Sequence, residues 1–117
     1  MDLVVRQEDR GGVPVLSLAG ELDLTTVPQA RDALVRASAM HPGQTVVVDL
    51  DGVSFLDSMG LGVLVGGLRR ARAAGGDLVL VCSTPRLLDM FALINLDRVF
   101  EIFPSMGAVT GACRCGR

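Results

Sequence analysis

Three features of the sequence predict an α/β domain built on a mixed β-sheet. Short apolar, β-branched runs alternate with segments whose apolar residues recur at helical spacing. Two strand-like runs come first, with a turn signal ending in a glycine pair between them, which predicts an opening β-hairpin. The length, 117 residues, suits one hydrophobic core and not two.

Leu3 to Gln7 and Val13 to Ala19 read as the first strands, with Arg10-Gly11-Gly12 as the turn between them. Glu21-Leu22-Asp23-Leu24 leads into Thr25-Thr26-Val27-Pro28, where a hydroxyl cap and an early proline mark a helix start. Val27, Ala30, Leu34 and Ala37 supply its buried stripe and leave Arg31, Asp32 and Arg36 exposed. Thr45 to Leu50 reads as a buried central strand. The helix after it runs from Leu61 to Ala74 and stops at Gly75-Gly76, with Ser58 at the junction as N-cap. Asp77 to Cys82 supplies the next buried strand. Ser83-Thr84-Pro85 opens a third helix through Leu87, Leu88, Phe91 and Ile94, and a short strand follows around Val99 to Phe103. Ser105 to Ala112 forms a last, weak helix, since Gly107 and Gly111 each cost it up to about 1 kcal/mol.

The predicted order is thus ββαβαβαβ(α), a single domain over residues 1–112 followed by a tail at 113–117. Helical crossovers favour parallel pairing of the later strands, and the hairpin adds an antiparallel edge. Periodicity leaves open whether the helices cover one face or both.

Composition removes several classes of function. Half of the residues are hydrophobic and charges of both signs are mixed, which argues against disorder. The formal net charge is −2 with no basic tract, and phenylalanine is the only aromatic, which argues against direct nucleic-acid binding. All 11 basic residues are arginine, so neither Schiff-base chemistry nor a P-loop lysine is available. Charges at Asp2, Arg6, Glu8, Asp9 and Arg10 do not fit a signal peptide, and the apolar run Leu61 to Leu68 is too short to span a bilayer. A cytoplasmic protein without membrane insertion is expected. The one histidine, His41, reads as a loop residue, and Cys82 as a small buried hydrophobe. Cys113 and Cys115 supply two sulfurs, too few for a structural zinc site, so neither a metal nor a cofactor is expected.

The segment Phe55-Leu56-Asp57-Ser58-Met59-Gly60-Leu61-Gly62 carries the functional signal. Its glycines imitate a dinucleotide fingerprint poorly, because Asp51 to Met59 intervene between the strand and Gly60; the simpler role is close backbone packing. A hydrolase nucleophile at Ser58 would need the Gly-x-Ser-x-Gly elbow and a histidine base, and the segment offers neither. The pairs Asp49 with Asp51, and Asp57 with Asp23, read as turn chemistry: Asp51-Gly52 as a bend, Asp57 as support for the helix start. What remains is a hydroxyl beside an acid at a helix N-terminus, where added negative charge is tolerated. Such a hydroxyl is placed to be modified rather than to attack. Leu61, Leu64, Val65 and Leu68 form a stripe toward the sheet, while Met59, Val63, Gly66 and Arg70 form a second stripe adjoining Ser58. The second stripe suits a partner helix, or else Val63 is covered by the neighbouring helix.

These residues resemble the STAS-domain anti-sigma factor antagonists of bacteria. The matching elements are Gly20-Glu21-Leu22-Asp23, Val47-Val48-Asp49-Leu50 leading through Phe55-Leu56, and Asp57-Ser58-x-Gly60-Leu61-Gly62. Ala73-Ala74-Gly75-Gly76 and Leu96-Asp97-Arg98-Val99-Phe100 extend the likeness over nearly the whole chain. The resemblance implies a mixed sheet with helices on one face and a non-enzymatic, partner-switching regulator. It further implies that the unphosphorylated form binds an anti-sigma factor that is also a serine kinase, releasing a sigma factor. Phosphorylation of Ser58 ends that complex, and a serine phosphatase resets it. The implied partner surface comprises Asp23, Thr25, Asp57, Ser58, Met59, Gly60, Val63 and Arg70. Met59 stands where the family often has a small or hydroxylated residue, and the Cys113-Arg114-Cys115 tail matches no family role. A small-ligand or nucleotide sensor, or a signalling scaffold without phospho-switching, is the alternative.

Overall fold

The structure, a computed structural model, describes residues 2–109. β1 (Leu3–Arg10) and β2 (Val13–Leu22) pair antiparallel, and the turn between them places Gly11 and Gly12 at φ of 61° and 86°, backbone that glycine adopts freely. β3 (Thr45–Leu56), β4 (Asp77–Val81) and β5 (Glu101–Phe103) then add in parallel, giving the strand order β1-β2-β3-β4-β5. α1 (Val27–Met40), α2 (Ser58–Ala73) and α3 (Pro85–Leu93) are the crossovers, and a 3-10 turn (Leu96–Arg98) precedes β5. The predicted order of elements is the observed one.

The first three strands run further than their sequence reading, whereas β4 stops one residue short of Cys82 and β5 begins two residues after Val99. β3 passes through Asp51-Gly52 to Leu56 because β2 continues beside it, pairing Ala19 with Gly52 and Leu22 with Leu56 across two register shifts. The expected bend at Asp51-Gly52 is therefore strand. Asp51 instead ties β3 to the end of β4, its carboxylate accepting from the Ser83 N–H at 2.7 Å and the Ser83 hydroxyl at 3.1 Å. Asp49 accepts from the Asp51 N–H at 3.0 Å, so both carboxylates are committed to the backbone.

Helices α1 to α3 cover one sheet face, as the resemblance implied. Their buried stripes meet Leu16, Leu18, Val46, Val48, Leu78 and Leu80 in the main core, with Leu64 and Phe91 fully enclosed. Each such side chain contributes on the order of 1.5–3 kcal/mol through burial. Cys82 belongs to this core, and burial pushes its thiol pKa up. The opposite face is a smaller cluster of Val15, Val47, Val79 and Val81, covered by Val109 and Met106 from a helical turn at 106–109. Ser105 starts that turn by accepting from the Ala108 N–H at 3.2 Å. The rest of the predicted last helix, and the tail with Cys113 and Cys115, lie outside the described residues. Among the described residues no helix is long and apolar enough to cross a membrane.

Candidate partner-binding site

β2 and β3 end in register at Leu22 and Leu56, and a helix starts after each. The Asp57 N–H donates to the Leu22 carbonyl at 3.3 Å, which joins the two loops. Each loop begins with an aspartate, but the two aspartates are used differently.

The first loop is closed on itself. The Asp23 carboxylate accepts from the Thr25 hydroxyl at 2.7 Å, the Thr25 N–H at 3.0 Å and the Thr26 N–H at 3.3 Å. The Thr25 hydroxyl foremost holds the Asp23 carboxyl below the usual carboxylate range. Thr26 is buried and occupies the N-cap position of α1, yet its hydroxyl does not bond a first-turn amide. It accepts from the Asp23 N–H at 3.0 Å and donates to the Glu21 carbonyl at 2.7 Å. The hydroxyl cap expected here thus fastens the loop rather than the helix end.

The second loop leaves its hydroxyl open. Asp57, in extended backbone, is the N-cap of α2, and its carboxylate accepts from the Gly60 N–H at 2.9 Å. Ser58, expected as the cap, is the first residue of the helix proper and is exposed. No hydrogen bond engages its hydroxyl among the described residues. Because the acid does the capping, the serine oxygen is left accessible at the positive end of a helix.

Ser58 opens into a groove of about 280 Å³ between α1 and α2. Ser58, Gly62, Gly66 and Arg70 follow one another every fourth residue along α2, Met59 and Val63 lie in the adjoining row, and Val27 and Arg31 come from α1. The glycines of this segment divide. A Cβ at Gly60 would meet the Leu22 carbonyl oxygen at 2.6 Å and Leu56 Cδ1 at 2.7 Å, so Gly60 is where α2 seats on the strand ends. Gly62 and Gly66 have nothing within 4 Å of the same position; they leave space in the groove instead of packing.

The expected surface is therefore only partly a surface. Met59 is 47% exposed and Arg70 partly so, whereas Val63 is 7% exposed and Gly60 is buried. Val63 belongs to the core in which the helices and sheet meet, so it forms a wall of the groove and offers little area to a partner. Leu24 in the first loop and Phe55, one residue before the end of β3, are exposed apolar residues that the sequence reading did not place in the site. It also missed Arg31, read as part of a solvated face. The signal was there: Arg31 stands one turn after Val27, and helices that follow neighbouring parallel strands start side by side.

Comparison with known proteins gives a consistent picture. Residues 5–109 match the STAS domain. The chain is 31% identical over 111 residues to the anti-sigma-B factor antagonist of Listeria monocytogenes, covering 95% of this chain and 96% of that one. It is 31% identical over 116 residues to the anti-sigma-F factor antagonist RsfB of Mycobacterium tuberculosis, covering 98% and 93%. Among solved structures, an anti-sigma factor antagonist from Mycobacterium paratuberculosis superposes with a TM-score of 0.87 at 30% identity, over 97% of this chain and 95% of that one. Fold and sequence agree that the chain belongs to the STAS-domain anti-sigma factor antagonists, a family of non-enzymatic regulators.

Proposed function

We propose that the unphosphorylated chain binds an anti-sigma factor that is also a serine kinase, that this releases a sigma factor, and that phosphorylation of Ser58 ends the complex. A serine phosphatase restores the binding form. The observation that carries this reading is the exposed Ser58 hydroxyl, free of hydrogen bonds among the described residues because Asp57 caps α2 in its place. A phosphoryl group adds about −1.5 to −2 charges, and the first turn of a helix accommodates them without unfolding. At a contact surface that includes Met59 and the groove, the same group adds bulk and charge against a partner packed there. Asp23, Thr25 and Asp57 shape the two loops that frame this surface, and Arg70 closes the far end of the groove.

Mass spectrometry of the protein from its native cells, with phosphatase inhibitors present, should localise a phosphoryl group to Ser58. Affinity for the anti-sigma factor should fall sharply on stoichiometric phosphorylation, while Ser58→Ala binds and resists switching. Equal affinity of the two forms sinks the proposal. A ligand sensor would instead show saturable small-molecule binding with a thermal shift.

A further inference from the structure

The residues lining the groove include two cations, Arg31 and Arg70, and no acid. Neither guanidinium is hydrogen-bonded or ion-paired to another described residue; the ion pairs there are Arg10 with Glu8 and Arg72 with Asp77. A groove holding uncompensated arginines beside a modifiable hydroxyl is fitted to an anion. We infer that it is the binding site for the phosphoryl group of Ser58 itself, with Arg31 as its counter-charge. The inference rests on Ser58 being the phospho-acceptor, as proposed above.

Geometry chooses between the arginines. Arg70 is twelve residues beyond Ser58 on the same helix, about 18 Å along the axis, which is out of reach. Arg31 lies four residues into α1, about 6 Å along its axis. A Cβ at Gly67 would meet Leu34 Cδ1 at 3.1 Å, so the eighth residue of α1 stands beside the tenth of α2 and the two helices begin within roughly one turn of each other. Helical side chains lean toward their N-terminus, which carries the Arg31 guanidinium toward the helix starts. Gly62 leaves the intervening space open, since even a methyl group there would meet nothing within 4 Å. A phosphate monoester offers three acceptor oxygens, and the arginine fork matches them. Phosphorylation then does more than repel: it fills the groove with an internal ligand and withdraws Arg31 from any partner. Asp57 and Asp23 lie on the loops at the groove mouth and are unchanged in every comparison below.

The test uses the full chain with phosphoserine installed genetically at position 58, so it needs no kinase and no partner. The second ionisation of the phosphoserine is followed by phosphorus NMR in the wild-type background and in Arg31→Gln, Arg31→Lys and Arg70→Gln. The wild-type group should titrate about half a pH unit or more below that in Arg31→Gln, the scale of an exposed ion pair. Arg31→Lys should recover part of the difference, and Arg70→Gln should follow the wild type. Identical titration in wild type and Arg31→Gln overturns the inference. So does an equal displacement by both Gln variants, which would mark a general field rather than a contact. A second readout needs no variant: phosphorylation should shift the guanidinium nitrogen resonance of Arg31 and leave that of Arg70 in place, and an unmoved Arg31 signal overturns the contact. Absence of Ser58 phosphorylation in cells would sink the proposed function without altering these results.

Discussion

On the sheet-facing side of α2, a methyl group at Gly60 would press within 2.6 Å of the Leu22 carbonyl and 2.7 Å of Leu56; on the groove side, one at Gly62 or Gly66 would meet nothing within 4 Å. Both faces use glycine at a helical position, where it costs roughly 0.5–1 kcal/mol relative to alanine. On the first face that cost is offset by close seating of the helix on β2 and β3. On the second, nothing within the domain offsets it. Space that a fold does not need but keeps open is available for contact with another molecule, or for a group added later. The two faces therefore answer to different requirements, and substitutions separate them.

The largest expected effect is Gly60→Ala, whose methyl group meets backbone as well as side chain. It should destabilise the domain by about 2–3 kcal/mol, toward the upper end of usual overpacking costs, read from urea unfolding. An unchanged midpoint would mean that the strand ends yield easily, and the contrast between faces would collapse. Next comes the cap: Asp57→Ala should cost about 1 kcal/mol, while Ser58→Ala should cost much less. Equal losses would return the capping role to Ser58 and leave its hydroxyl less available. Gly62→Ala and Gly66→Ala should each stabilise the domain by up to about 1 kcal/mol and weaken anti-sigma factor binding, a pairing of opposite signs measurable by thermal unfolding and titration calorimetry. If either variant binds as well as wild type, the open face is not used at that position.

The smallest effect concerns the frame of the groove. Asp23 has a folded pKa below its ordinary value, so its contribution to stability is present above the ordinary pKa and is lost as pH falls through the folded one. Thr25→Val removes the foremost cause, so the folded pKa should rise and that contribution shrink. Carbon NMR titration of Asp23 checks this. An unmoved titration would assign the depression to the backbone amides of Thr25 and Thr26 instead.

Most of the architecture was legible because alternating period and punctuation agree: the glycine turn, Thr26-Val27-Pro28, Gly75-Gly76 and Ser83-Thr84-Pro85 all fall at element boundaries. Strand ends were less legible. β3 gains its last turns of pairing from β2, a tertiary effect that Asp51-Gly52, read locally as a bend, conceals. At the site, Asp57 and Ser58 are both good N-caps, and the sequence does not say which dihedral each adopts. Val63 and Arg31 depend on how two helices lie against each other, information absent from either helix alone. The place of Ser58 at the start of α2 was legible, since the change from strand to helix is marked locally.

The strand order has a consequence for how the molecule is made. Every strand lies beside the one before it in sequence, so a chain leaving the ribosome N-terminus first always meets a completed edge on which to add the next. The hairpin needs only its own turn, and each later strand arrives with its covering helix already synthesised. The valine face on the other side waits for Val109, among the last described residues to emerge. The strand order thus lets synthesis and assembly run in the same direction.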